Sequence, residues 1–324
     1  MIEVYLYDAK GHDTTVELSQ RLVARTRKQQ LVWIDLVRGD KAAVREAADI
    51  LKLDNGLTEA LLEHPVEPVL ESYAGHFHLA LPVSPSAGKA KDCVTYVVAE
   101  RWLLTVRDGD IPYFKAFRDQ DNGETLSGRL TPAALAAALL DWHLEDYQAD
   151  ITDIQTRVDK IDHDVLEERE EEPPLRNLAK LQARVADLRR RLSDHRRIIH
   201  GLLRADFAHI AGHPHAEYYQ ALEQHFDRTD DSLDRAREMI VGSFNLYATR
   251  TAQETNQLVK LLTLVTVIIG LSGAIAGIFG MNFDTPLTKT GLPGFIAAVG
   301  AMVALGAMLT MFAWRRKWLS DVSL

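Results

Sequence analysis

Two stretches of this 324-residue chain, 261–279 and 295–314, contain no charged side chain, whereas the sequence before them is charge-rich throughout. A helix rising about 1.5 Å per residue needs ~20 residues to cross a hydrocarbon core of roughly 30 Å, and both runs are close to that length. Buried helices of water-soluble domains seldom lose every charge for so long. Both runs are therefore expected to be transmembrane helices in contact with membrane lipid.

The flanks set an orientation. The second run ends in "WRRKWL", where Trp314 and Trp318 suit the interface and Arg315, Arg316 and Lys317 favour the cytoplasmic side. Two crossings return the chain to that side, so both termini are expected to be cytoplasmic and 282–294 to form an external loop. The opening "MIEVYLYDAKGHD" has neither the basic segment nor the apolar segment of a secretory leader. A net charge of −9 argues against a nucleic-acid partner. Cys93, the sole cysteine, rules out an internal disulfide and fits a reducing compartment.

Residues 1–130 read as an α/β domain. "IEVYLY", "LVWIDL", "HFHLALPV", "VTYVVA" and "WLLTVR" are β-branched or aromatic runs of strand length, and "DKAAVREAADILKL" has helical spacing with Asp40 as its N-cap. "SPSAGKAKD" (84–92) reads as a loop between strands. No glycine-rich phosphate loop follows any strand, which gives a nucleotide site little support, and no covalent chemistry is required, so a non-enzyme is expected.

Residues 131–215 read as a helical hairpin, opening with a Thr131 cap and Pro132 in the first turn. Ile151, Ile154, Val158, Ile161 and Val165 form one heptad seam. Leu178, Leu181, Val185, Leu188 and Leu192 repeat it after the turn at Pro173 and Pro174. From Ala216 onward no proline intervenes before Pro286. A stalk helix over 216–260 can thus continue into the first span (261–281), a rod of roughly 90 to 100 Å whose seam needs partners.

Steps of three and four through that span pick out Asn256, Val259, Thr263, Thr266, Gly270, Gly273, Gly277 and Gly280, a stripe in which all but one residue are small or polar. Gly273 and Gly277 form a GxxxG pair suited to close helix packing. The alternative is a pore whose axis is lined by hydroxyl, amide and backbone oxygen. Amides at both ends, Asn256 and Asn282, favour the pore. A ring of neutral carboxamides can hydrogen-bond the water shell that Mg²⁺ holds tightly without stripping it, and conduction needs such weak binding.

"GIFGMNF" after an uncharged helix, followed by a short loop, a second span over 295–314 and "RRKWL" in a basic tail (315–324), resembles the CorA superfamily of divalent-cation channels and transporters. "NQLVKLLTLVTV" looks like the family's stalk-to-membrane segment, and "WIDL", "HPVEPVLESYAGHFHLAL" and "WLLTVR" are fainter echoes of its cytoplasmic domain. The resemblance implies a funnel-shaped homopentamer in the bacterial inner membrane, with the first span lining the pore. It further implies an external selectivity ring of Gly280, Met281 and Asn282, a polar Asn256 near the inner end, and a hydrophobic gate at Leu262. Gly273 and Gly277 would line the middle, and Arg315, Arg316 and Lys317 would form a basic collar. The expected function is passage of hydrated Mg²⁺, with Co²⁺ or Ni²⁺ as further cargo; a proton-coupled Zn²⁺ transporter of the ZntB type is the alternative. The loop departs from the family's magnesium branch, reading "FDTPLTKTG" where Met-Pro-Glu-Leu is common, and Val259 and Leu271 stand where a methionine and a proline are frequent.

Family members are thought to close when intracellular divalent ions bridge acids between subunits, which makes Asp227, Asp230, Asp231 and Asp234 regulatory candidates. "EEREEE" (167–172) is read as a solvated helix end, with cation gathering as the functional alternative. "HIAGHPH" brings His209, His213 and His215 close in sequence, but Pro214 interrupts any shared helical face and surface histidines are the expectation over a zinc site.

Overall fold

The computed structural model describes residues 2–10, 12–27, 29–65, 67–84, 92–120, 129–167, 173–281 and 291–316. The chain forms two compact units, Met1–Ser243 and Phe244–Leu324. Among the described residues of the first unit are strands β1 (Ile2–Asp8), β2 (Thr14–Thr15), β3 (Gln30–Val37), β4 (Val69–Ser72), β5 (His76–Pro82), β6 (Cys93–Ala99) and β7 (Trp102–Arg107). Helices α1 (Gln20–Arg25), α2 (Lys41–Leu51), α3 (Asn55–Leu62), α4 (Pro112–Gln120), α5 (Pro132–Leu166) and α6 (Pro174–Leu202) accompany them. Helix α7 (Ala216–Phe279) begins in the first unit and ends in the second, which also holds α8 (Gly291–Arg315).

The strands form one sheet in the order β2-β1-β3-β7-β6-β5-β4. Only β3 and β7 are parallel; hairpin-like antiparallel pairs flank them. The central strands read as near-continuous apolar runs because both faces are covered, and Leu31, Val32, Trp33 and Ile34 are all fully buried. One face packs on α2 and α3 through Val32, Ile34, Val44, Ala47, Leu57, Leu61 and Leu104. Asp40 caps α2 as its pattern predicted, its carboxylate accepting from the Ala43 N–H at 3.1 Å. Thr131 caps α5 in the same way, and both heptad seams are buried apart from Ile161, which is half-buried. At Gly201 in α6 a Cβ would lie 2.6 Å from Leu70 Cδ2, so a larger residue there would make the Leu70 side chain on β4 shift.

The 84–92 loop lies mostly outside the described residues. Its end residue Ser84 is buried, and its hydroxyl donates to the Asp150 carboxylate on α5. Most of "EEREEE" (168–172) is likewise outside them. Residues 203–215 are a succession of turns rather than hairpin helix.

A buried polar chain joins the sheet to the α5–α6 pair. The His195 Nδ1–H donates to the Arg191 carbonyl at 2.7 Å, which leaves Nε2 of the neutral ring as an acceptor. His143 Nε2 lies 2.6 Å from that atom and must therefore carry the proton between them. His143 Nδ1 in turn faces the Tyr113 hydroxyl at 3.1 Å, and Tyr113 meets Tyr96 at 2.9 Å. Burial, followed by the neighbouring ring, holds His143 well below the usual imidazole range. Burial likewise lowers His195 to about 4.

A histidine with a depressed folded pKa binds fewer protons folded than unfolded, so stability is complete above the unfolded value near 6.5 and declines as pH falls toward about 4. Unfolding followed by fluorescence between pH 7.5 and 4.5 should show this loss. Replacing the pair, His143→Leu with His195→Leu, should flatten the slope.

Candidate functional site

The second unit contains the carboxyl-terminal part of α7 together with α8, and both helices are long and apolar enough to cross a membrane. They meet along a narrow seam. Leu264, Ile268, Ser272 and Ile275 are half-buried on α7, while Ala298 and Ala313 are buried on α8 and Gly294, Met302, Leu305, Gly306 and Leu309 are half-buried. A Cβ on Gly306 would meet Ile268 Cγ2 at 3.8 Å, which fixes the contact point. Small α8 residues opposite branched α7 residues are what close packing in lipid selects.

The polar stripe lies on the other side. At about 100° per residue, the α8-facing residues of α7 all fall within about 40° of Ile268. Val259, Thr263, Thr266, Gly270, Gly273 and Gly277 fall between about 140° and 220° away. All six are exposed, and a Cβ on Gly270, Gly273 or Gly277 would meet nothing within 4 Å. The GxxxG pair is therefore not what holds the two spans of one chain together.

The hydroxyls on the stripe are oriented. Thr263 donates to the Val259 carbonyl and Thr266 to the Leu262 carbonyl, each at 2.7 Å. With the proton committed to the helix, what each threonine turns outward is oxygen lone pairs. Two outward acceptors beside bare backbone can hydrogen-bond water or hydrated cations.

At the far end α7 stops at Phe279. The Gly280 N–H still donates to the Ala276 carbonyl at 2.9 Å, and the Met281 N–H to Ile278 at 3.4 Å. A Cβ at Gly280 would stand 3.1 Å from the Ala276 oxygen, so a larger residue would crowd the helix end. Met281 is exposed; Asn282 lies outside the described residues. Asn256 and Leu262 are exposed on α7, Leu262 by 67%. Arg315 ends α8, and the Arg316 guanidinium lies 5.6 Å over the Phe312 ring. Lys317 is outside the described residues.

The four stalk acids separate into two pairs. Asp230 and Asp234 form ion pairs with Arg196 and Arg189 of α6. Asp227 and Asp231 are exposed. In the histidine trio two ring nitrogens face backbone carbonyls: His209 Nε2 is 2.8 Å from the Tyr73 carbonyl and His215 Nε2 is 2.8 Å from the His209 carbonyl, while His213 stacks on His215. Sequence periodicity found the stripe but not the α8-facing seam. The signal available for the seam was the matching row of small residues Gly294, Ala298, Gly306 and Ala313.

An α/β unit, a long helix running into a first span with an acceptor-lined face, and a second span packed behind it define a membrane transport protein. Residues 28–316 match the family described as CorA-like Mg²⁺ transporter protein, and the chain belongs to that family. It is a family of divalent-cation transporters and channels, not enzymes. The chain is similar to the divalent cation transporter CmaX of Pseudomonas aeruginosa, 24% identical with 98% of this chain and 97% of that one covered. It is also similar to the cobalt/magnesium transport protein CorA of Thermotoga maritima, 24% identical over 57% of this chain but spanning only 52% of that protein. In structure it resembles the CorA magnesium transporter of Methanocaldococcus jannaschii with a TM-score of 0.73 and 17% identity, covering 97% of this chain and 98% of that one.

The two faces of α7 make a direct prediction. In a Cys93→Ser background, single cysteines at Thr263, Thr266, Gly270 and Gly273 should react with a small charged thiol reagent in the assembled protein. Cysteines at Leu264, Ile268 and Ile275 should be protected by at least about tenfold, and the reverse pattern would contradict this assignment of faces.

Proposed function

We propose that the chain assembles as a homopentamer in the bacterial inner membrane, with both termini cytoplasmic, and conducts hydrated Mg²⁺ inward along an axis lined by α7. The observation that carries this reading is the separation of faces on α7. The side opposite α8 carries the Thr263 and Thr266 oxygens and three bare glycines and, among the described residues, has no partner in its own chain, and copies gathered about an axis would satisfy it with water and cation. In this arrangement 1–130 and 131–215 form the cytoplasmic body, 216–260 the stalk, 261–281 the pore-lining span, 282–294 the external loop, 295–314 the outer span and 315–324 the basic tail.

Gly280, Met281 and Asn282 form the external ring. The Asn282 carboxamides bind the ion's water shell rather than the ion, so the site attracts without trapping. Thr266 and Thr263 continue the acceptor path, Gly270, Gly273 and Gly277 widen it, Leu262 is the apolar constriction and Asn256 receives the ion beyond it. Arg315, Arg316 and Lys317 collar the inner mouth. The T. maritima relative's name joins cobalt to magnesium, and Co²⁺ and Ni²⁺ are the further cargo proposed here.

Closure is driven by intracellular divalent ions bridging stalk acids of neighbouring subunits. Asp227 and Asp231, exposed four residues apart on α7, are the acids proposed for this role. Asp230 and Asp234 are held by arginines of their own chain, which makes them weaker ligands.

Purified protein in vesicles loaded with a Mg²⁺ indicator should admit Mg²⁺ without an imposed pH gradient, and Asn282→Ala should cut the flux by about tenfold or more. Zn²⁺ entry that requires a proton gradient, with no Mg²⁺ entry, would overturn the cargo assignment in favour of a ZntB-like transporter. Reversing charge with Asp227→Lys and Asp231→Lys should weaken inhibition by luminal Mg²⁺ on the stalk side; unchanged inhibition would remove both acids from the regulatory site.

A further inference from the structure

Away from the spans, one group of side chains combines the donor types that a borderline-soft dication prefers. His64, Cys93 and Asp108 offer one ligand atom each, all within 4.8 Å of one another. His64 Nδ1 lies 2.9 Å from Asp108 Oδ2. The fold brings them together from three segments. Cys93 opens β6 and Asp108 follows β7, and because Val94 pairs with Arg107 across these antiparallel strands, the two residues are register neighbours. The Cys93 N–H donates to Asp108 Oδ2 at 2.9 Å, and the Asp108 N–H to the Cys93 carbonyl at 3.2 Å. His64 comes from the segment just after α3.

Arg38 makes the arrangement rigid. The residue is 5% exposed, and its guanidinium donates to Asp108 Oδ1 at 2.6 Å, to the Leu61 and Glu63 carbonyls at 2.8 Å each, and to the Thr95 hydroxyl at 2.9 Å. One buried side chain thus fixes the rotation of the carboxylate and ties the backbone immediately before His64 to the sheet. Oδ1 is committed to Arg38, so Oδ2 is the oxygen turned toward His64 and Cys93.

We propose that His64, Cys93 and Asp108 form a binding site for a thiolate-seeking dication of the Zn²⁺ or Co²⁺ class, separate from the path that conducts hydrated ions. Imidazole, thiolate and carboxylate suit a tetrahedral Zn²⁺-type ion, whereas Mg²⁺ demands near-octahedral oxygen. Metal–ligand bonds of about 2.0 to 2.3 Å place tetrahedral ligand atoms roughly 3.3 to 3.8 Å apart. Separations of up to 4.8 Å must therefore close by at most about an ångström while the His64–Asp108 contact opens. His64, whose side chain is 42% exposed, has the freedom to make that adjustment. A cavity of about 190 Å³ bordered by Glu63, His64, His78 and Thr95 adjoins the group at His64. His78 Nδ1, on the buried side of that cavity, has no hydrogen-bond partner.

Burial, helped by the Asp108 charge, pushes the Cys93 thiol up to about 11, so without metal the sulfur is protonated at neutral pH. Binding forms one S–metal bond and releases one proton to solvent: Cys–SH plus M²⁺ gives Cys–S–M⁺ plus H⁺. Arg38 offsets Asp108, and the thiolate is the new anion.

Because Cys93 is the only cysteine, a thiolate-to-cobalt charge-transfer band can arise only here, whatever Co²⁺ occupies elsewhere in the protein. Full-length protein in detergent, titrated with Co²⁺ in a large excess of Mg²⁺, should develop a near-ultraviolet band that saturates at a single Co²⁺ per chain and is bleached by Zn²⁺. Cys93→Ser should lack the band. His64→Ala, a change at an exposed side chain that spares folding and vesicle Mg²⁺ flux, should weaken Co²⁺ binding by about tenfold or more. No band at saturating Co²⁺, or a band of unchanged affinity in His64→Ala and Asp108→Asn, would overturn the site. Neither result bears on conduction, which the flux measurement reads independently.

Discussion

In a hydrocarbon interior no water is available to satisfy a polar group, and the rest of the α7–α8 unit follows from that restriction. Thr263 and Thr266 spend their hydroxyl protons on the α7 backbone at 2.7 Å but still present oxygen lone pairs outward. Among the described residues nothing in their own chain covers them, because α8 packs on the opposite side at Ile268. A helix with one face already sealed by its partner span and the other lined by acceptors needs water or further copies of itself. In the proposed assembly an aqueous axis among copies would supply both. In that assembly the glycines at 270, 273 and 277 would serve the same end, since they leave the face without side-chain bulk.

In the water-exposed unit the physical task differs. Helices α5 and α6 and the first turns of α7 bury heptad apolar residues such as Ile154, Leu188 and Phe226, and arginines of α6 reach across to stalk acids. Such exposed ion pairs contribute little stability individually. They do set which carboxylates remain accessible. The sheet is fastened to these helices by buried polar groups, including the Tyr96–Tyr113–His143–His195 chain, whose proton positions are dictated from one end by a carbonyl that can only accept. A network satisfied in this directional way specifies one register of helix against sheet.

Much of this was legible in the sequence, for reasons that differ by element. The spans were readable because loss of charge over a membrane thickness has few other causes. Strands β1, β3, β5, β6 and β7 were readable from β-branched and aromatic runs, and the hairpin from two heptad seams broken by paired prolines. Short elements left weaker traces. Two-residue β2 and half-exposed β4 bury too little to impose a pattern, and α3 carries a glycine in its first turn that masks its Asp54 cap. The stripe on α7 followed from steps of three and four, yet the sequence left open whether it faced its own second span. That depended on Ile268 meeting Gly306, a contact between residues far apart in sequence and plain in composition. His64, Cys93 and Asp108 were invisible for a similar reason, because strand register and Arg38 join them and no local spacing does.

The most direct test of the central claim is a cryo-electron microscopy map of the full-length protein assembled in lipid nanodiscs. The account predicts copies of α7 around a central axis, with Thr263, Thr266, Gly270, Gly273 and Gly277 turned toward it and α8 outside. A map in which α8 lines the axis, or in which the threonine–glycine face is pressed against lipid or sealed in a dry two-helix seam, would contradict it.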